Sequence, residues 1–300
     1  MLSRKYILLL SSVLLLSFAF VACDDNDNES LTTVEEVLVT ITNPDALPLI
    51  AHRGCWSGDS LPQNSLAAFQ KALQLPILGT EFDVRQTLDD KLVINHGATF
   101  DSLDISKTKY SDLCLKTLGN GETISLLEDF LRAYVEVETK VLLVVELKSC
   151  NVELVIEILK QYDVLSRVLF ISFSKNYCNY LVSRGFGQVT YYLGGNLTPQ
   201  AALDAGYGGI NYSHAVFQKN PCWIEEAKAI GLKVGVYTVN NKELIKGYLA
   251  DSVMVTTDRA DKWESYQRRI KNINLCLNKK TKAESGNVND LGCQQSRLRL

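Results

Sequence analysis

Residues 141–159, VLLVVELKSCNVELVIEIL, hold the pattern that decides the fold. The first seven are apolar apart from Glu146, and a near-continuous apolar run of that length suits a strand covered on both faces. After the polar break at Lys148, Ser149 and Asn151, a helix is predicted over 151–162. A two-sided strand followed at once by a helix is one unit of a parallel sheet wrapped by helices.

The same alternation runs outward from this unit in both directions. Strands are predicted at 48–53, 79–86 with an extension at 91–95, 141–147, 167–172, 188–193, 208–212, 232–238 and 252–256. Helices are predicted at 65–74, 125–136, 151–162, 174–184, 198–205, 221–230, 241–250 and 259–270. In the first helix Leu66, Phe69 and Leu73 share one face, and Asn64 or Ser65 supplies an N-cap acceptor. Eight such units in series give an α/β fold of the (β/α)8 or TIM-barrel class. Residues 97–124 lack a clear period and are expected to form a small insertion after the second strand, lying as a lid over one barrel end.

The 300-residue chain has 46% hydrophobic residues, a formal charge of -3 and a pI near 5.7. It therefore offers no basic field of the kind that gathers nucleic acid, and none is expected as a partner. Arg4 and Lys5 precede an uncharged run from Tyr6 to Ala22, the layout of a signal peptide over residues 1–22. Phe20-Val21-Ala22-Cys23 resembles the lipobox of bacterial lipoproteins, which implies acylation of Cys23. The acidic stretch DDNDNES that follows opens a tether over 23–46, too polar to bury itself. The expected location is exported and membrane-anchored, periplasmic or on the outer-membrane surface, with the lipid anchor as the membrane contact.

The globular unit is expected over 47–270, with a weakly ordered basic tail over 271–300. From Lys262 to Leu300 there are nine Lys or Arg against three Asp or Glu. Eight cysteines include Cys23, leaving seven, and no CxxC pair occurs among them. A zinc knuckle or redox motif is thus unsupported, and the remainder are expected as core residues or free thiols.

In a barrel of this class, side chains at the C-terminal strand ends converge on one pocket. His52 closes the first strand, Glu81 and Asp83 lie in the second, His96 ends its extension, and Glu146 and Lys148 end the third. Residues two apart on a strand point the same way, so Glu81 and Asp83 share a face, as do Glu146 and Lys148. Three carboxylates brought together repel one another unless a cation joins them. An all-oxygen site favours one Ca2+ or Mg2+. That leaves His52 and His96 for proton transfer, while Arg53 and Lys148 suit an anionic phosphoryl group. The third histidine, His214, reads as structural.

In order along the chain, HRG, PQNSLAAF, EFDV, DDKLVINH, ELK, YTVN and TTDRAD resemble the motifs of the glycerophosphodiester phosphodiesterase family over about residues 48 to 262. The resemblance implies a metal-dependent TIM-barrel hydrolase that splits a small-molecule glycerophosphodiester into glycerol 3-phosphate and an alcohol. It carries the metal ligands onto Glu81, Asp83 and Glu146, the base onto His52 and the acid onto His96. Arg53 and Lys148 fall on phosphate-facing positions, and Tyr237 is expected to offer its ring to the substrate. Gln63, Ser65, Gly97, Tyr237 and Ala260 depart from the family pattern, and Gly97 removes the carboxylate that would follow His96. A related phospholipase acting on lysolipids and a non-catalytic phosphodiester-binding homologue are the alternatives. Gly54 is expected to let backbone approach the phosphate, Asn64 to act first as a cap, Asp258 and Arg259 to cap the last helix, and Cys55 and Trp56 to line a head-group pocket or simply pack a loop.

Overall fold

The computed structural model describes residues 46–57 and 61–263. The signal segment, Cys23, all but residue 46 of the tether and the basic tail lie outside the described residues.

The chain opens with β1 (Leu47–Ala51), α1 (Leu66–Leu73), β2 (Ile77–Gln86) and β3 (Leu92–Ile94). An insertion follows, with the hairpin β4 (Thr99–Phe100) and β5 (Leu103–Asp104) and the short helix α2 (Tyr110–Leu113). Regular units resume with α3 (Leu127–Val135), β6 (Leu142–Ser149), α4 (Val152–Gln161), β7 (Val168–Ser172) and α5 (Lys175–Ser183). Then come β8 (Thr190–Tyr192), α6 (Pro199–Asp204), β9 (Gly209–Ser213), α7 (His214–Lys219) and α8 (Trp223–Ala229). The last units are β10 (Lys233–Tyr237), α9 (Lys242–Ala250) and β11 (Met254–Thr257).

Eight strands run parallel in the order β1-β11-β10-β9-β8-β7-β6-β2, and β1 also pairs with β2, so the sheet closes into a TIM barrel. β3 runs antiparallel on the outer end of β2, as an extension. Side chains of the cap type set the helix starts: Ser65 Oγ accepts from Ala68 N, and Asn151 and Asn241 each accept from two amides of the next turn. Ser65 is thus the cap of α1, and Asn64 is free for another role.

The strand faces sort as period two requires. Phe82 points to the helix layer and packs against Phe69 of α1 and Phe130 of α3, with ring centroids 5.7 and 5.3 Å away. Its neighbours Glu81 and Asp83 therefore point into the barrel. Aligned pairing sets Asp83 opposite Glu146 on β6. Phe100, Ile105, Leu113 and Ile124 of the insertion close a small core on Val93 of β3, which seats the insertion against the barrel.

Local detail departs from the sequence expectation in the short elements. Of the last helix, expected over 259–270, the described residues hold a 3₁₀ turn, Ala260–Trp263, and the remainder lies outside them. α7 starts directly from the end of β9, where six residues are too few for a readable period. The 97–124 connection holds structure, but in two-residue strands and single turns that no window resolves.

Candidate active site

The acidic cluster sits where β2 and β6 run side by side. Glu81, Asp83 and Glu146 each bring a carboxylate oxygen within 4.8 Å of the others, and all three are buried. Burial first, and then the charges of Asp83 and Glu146, push the Glu81 carboxyl well above its usual range. Burial and the charge of Asp83 push Glu146 up to about 7, against the opposing pull of Lys148. Glu81 Oε1 is buried without a hydrogen-bond partner among the described residues. The Lys148 ammonium stands 2.5 Å from Glu146 Oε1 and 3.3 Å from Asp83 Oδ1, an ion pairing that gives neither oxygen a directed hydrogen bond. Converging buried oxygens whose full ionisation the protein alone resists are a donor set suited to a hard divalent cation.

The β1–α1 connection braces this cluster. Arg53 and Asn64 both adopt positive φ, 56° and 60°, a backbone region uncommon for Arg and more readily taken by Asn. The strain has a use at each. Arg53 turns its backbone N–H onto Glu81 Oε2 at 2.8 Å and brings its guanidinium Nε to 3.5 Å from Asp83. The same guanidinium bonds Gln63. Asn64 donates to Asp83 Oδ2 at 2.8 Å and accepts from the Asp83 backbone at 3.3 Å. Asn64 is therefore a support of the acidic cluster, not a helix cap.

Gly54 meets the backbone of α1 at close range. Its φ is +81°, and a Cβ there would lie 2.7 Å from the Ala68 carbonyl carbon. The glycine lets the strand-end loop pack on the backbone of α1.

His52 follows β1 and directs Nδ1 to Asp258 Oδ1 at 2.7 Å. Asn240 in turn donates to Asp258 Oδ2 at 2.7 Å and accepts from the Asp258 amide at 2.9 Å. Burial alone would raise the Asp258 carboxyl, but the bonds from His52 and Asn240 prevail and hold it below its usual value. An ionised carboxylate only accepts, so Nδ1 carries the proton and Nε2 presents the lone pair. Sequence reading assigned Asp258 to a cap. The TTDRAD segment follows the last barrel strand, and the convergence of strand ends on one pocket was the signal that could have placed it beside His52.

His96 lies on the connection that leaves β3, and its imidazole is exposed. Its carbonyl accepts from Arg85 Nε at 3.1 Å and Nη2 at 2.7 Å, while Asn95 closes the next turn by donating to the carbonyls of Gly97 and Thr99. Partial desolvation lowers its pKa, with Asp83 pulling upward and Arg53, Lys148 and His52 adding to the lowering. These influences put it within electrostatic reach of the cluster. Among the described residues none hydrogen-bonds the ring itself.

A cavity of ≈ 450 Å³ opens beside His96, between the β1–α1 connection and Leu118 of the insertion. Across the mouth, Phe173 is 51% exposed just beyond β7, edge-on to Tyr237 at 5.9 Å and under the Lys148 ammonium at 5.5 Å. The Tyr237 hydroxyl donates to the Leu193 carbonyl, so only its ring can meet a ligand. His214 bonds Tyr248 at 2.6 Å and contributes nothing to the acidic cluster. Cys55 is buried and Trp56 lines the cavity.

The sequence pattern of the Glycerophosphoryl diester phosphodiesterase family matches residues 52–262, which spans every site residue above. The chain belongs to this family. It is therefore a glycerophosphodiester phosphodiesterase-family enzyme. It is 31% identical over 132 residues to "Probable glycerophosphodiester phosphodiesterase 2" of Mycobacterium tuberculosis, a match covering 42% of this chain and 48% of that relative, about half its length. The crystal structure of a glycerophosphodiester phosphodiesterase from Parabacteroides distasonis aligns at a TM-score of 0.69 with 28% identity, covering 76% of this chain and 97% of that one. An Oleispira antarctica phosphodiesterase, solved in complex with the product sn-glycerol-3-phosphate, aligns at a TM-score of 0.61 with 23% identity over 72% of this chain and 95% of its own.

Proposed function

We propose that this family member hydrolyses glycerophosphodiesters to sn-glycerol 3-phosphate and an alcohol, with Glu81, Asp83 and Glu146 holding one Ca2+ or Mg2+ and with His52 and His96 moving the protons. The observation that carries the reading is the His52–Asp258 pair set beside three mutually repelling buried carboxylates. The product bound to the Oleispira antarctica relative supports a glycerophosphate-type ligand.

A divalent cation on the three carboxylates would neutralise charge on the phosphoryl group and make a nearby hydroxyl easier to ionise. The chain's own residues do the rest. His52 Nε2 accepts the proton of the attacking hydroxyl, and Asp258 stabilises the imidazolium that forms. His96, on the other side, gives its proton to the departing alcohol oxygen. Arg53 and Lys148, whose cationic groups stand at the edge of the acidic cluster, supply fixed positive charge to the phosphoryl oxygens. The attacking hydroxyl is that of the substrate's own glycerol or of water, and a cyclic glycerol phosphate trapped during turnover distinguishes the first.

The test is release of sn-glycerol 3-phosphate from a diester panel. Release that ceases on chelation, resumes with Ca2+ or Mg2+ and fails in His52→Ala is the expected result. Ligand binding without turnover in the metal-loaded protein would overturn it. We further propose an exported protein held to a membrane through acylated Cys23, which incorporation of labelled palmitate into the full chain but not into Cys23→Ala would test.

A further inference from the structure

Resting on His96 as the group that protonates the departing alcohol, we infer that the cavity beside it receives that alcohol and selects an uncharged, ring-sized polyol over a small ammonium alcohol.

Position comes first. His96 lines the cavity, and so does Asn64, whose amide is bonded to Asp83, so the space abuts both the proton donor and the acidic cluster. A leaving group on the His96 side of the phosphorus has this space to enter.

Charge comes second. Among the described residues no carboxylate lines the cavity. His96 must be protonated to act as the acid, and Arg53 and Lys148 add positive charge near the same ring, with Asp83 opposing them. Among the described residues that line the cavity, an ammonium group would find no carboxylate to pair with beside that positive charge. A single indole, that of Trp56, is far from the aromatic cage that quaternary ammonium recognition uses.

Size and shape come third. A volume of ≈ 450 Å³ falls in the range of about 300–1,000 Å³ that takes drug-sized ligands, so a two-carbon amino alcohol would leave most of it unfilled. Trp56 spends its indole N–H on the His52 carbonyl at 3.0 Å, which fixes the ring as an apolar wall next to Leu61, Pro62 and Leu118. The C–H face of a cyclic polyol fits such a wall. Asn95 commits its Nδ2 to two carbonyls, which leaves Oδ1 to accept from a substrate hydroxyl. Gln63 bonds Arg53 through Oε1, which leaves its amide N–H groups to donate to another.

The experiment compares kcat/KM of the full metal-loaded chain on glycerophosphoinositol, glycerophosphoglycerol, glycerophosphocholine and glycerophosphoethanolamine. The inositol diester is expected to exceed both nitrogenous diesters at least tenfold, and free myo-inositol is expected to inhibit where choline does not. Leu118→Asp should move the ratio of choline to inositol turnover upward by about tenfold, because it adds the missing countercharge. An equal or inverted order with the unmodified chain overturns the inference while leaving the hydrolytic reading intact, and needs no variant to fold. No release of sn-glycerol 3-phosphate from any of the four takes down both.

Discussion

At the scale of single residues, the Asp258 contact gives His52 a defined tautomer. Replacing Asp258 by Asn keeps the shape but removes the charge that favours a proton on Nδ1. We expect kcat to fall by ~10²–10⁴ with KM changed only a few-fold, as for other carboxylate–imidazole pairs. A helix cap would instead cost stability and leave kcat nearly untouched, so the kcat-against-Tm split decides. Arg85 acts through the main chain, since its two bonds to the His96 carbonyl fix where that imidazole starts. With His96 as the proposed acid, Arg85→Met is expected to lower kcat by ~10–100-fold, because small misplacements of a reacting group are costly. The same kcat from Arg85→Met as from the parent would show that Asn95 alone holds the turn. The clustering of Glu81, Asp83 and Glu146 was legible in the sequence because strand alternation dictates where they point. Asp258, Asn64 and Arg85 were not, since each works through a partner 11 to 206 positions away.

At the scale of elements, the β1–α1 connection and the insertion are joined through one helix start. Glu122 of the insertion accepts from the amides of Leu66 and Ala67 at 2.8 and 3.3 Å, satisfying free donors in the first turn of α1. Glu122→Ala is expected to cost about 1 kcal/mol and to speed hydrogen exchange at those two amides ahead of the barrel strands. Exchange unchanged at Leu66 and Ala67 would mean the contact holds nothing. Gly54→Ala is a harsher test, since it forces a Cβ against the α1 backbone at positive φ. It should destabilise by about 2–4 kcal/mol and lower Tm by ~5–12 °C in calorimetry. The glycine was visible in the sequence, but its reason was not, because the neighbour it makes room for lies fourteen residues on in a packed helix.

At the scale of the whole molecule, eight βα units and an insertion were readable because parallel strands covered on both faces leave long apolar runs. The insertion's interior was not, since its elements are shorter than either period. The closed barrel also couples the acidic cluster to global stability. Glu81 and Glu146 have folded-state pKa values above those of an unfolded chain, so the native state binds extra protons. In metal-free protein that contribution is present below about pH 4.3 and is lost as pH rises through the folded values, about 7 for Glu146. Saturating Ca2+ or Mg2+ should raise Tm by ~5–10 °C near pH 8 and by much less at pH 5, where protons compete for the same oxygens. A shift independent of pH, or one retained in Glu81→Gln, would place the ion elsewhere. Finally, β1 enters at Leu47 and reaches His52 five residues later, so the polypeptide joins the barrel at its floor while the reaction chamber opens at the roof. Immobilising the protein on a bead or electrode through anything fused ahead of residue 46 would therefore leave the chamber facing bulk solution, where small water-soluble diesters arrive freely.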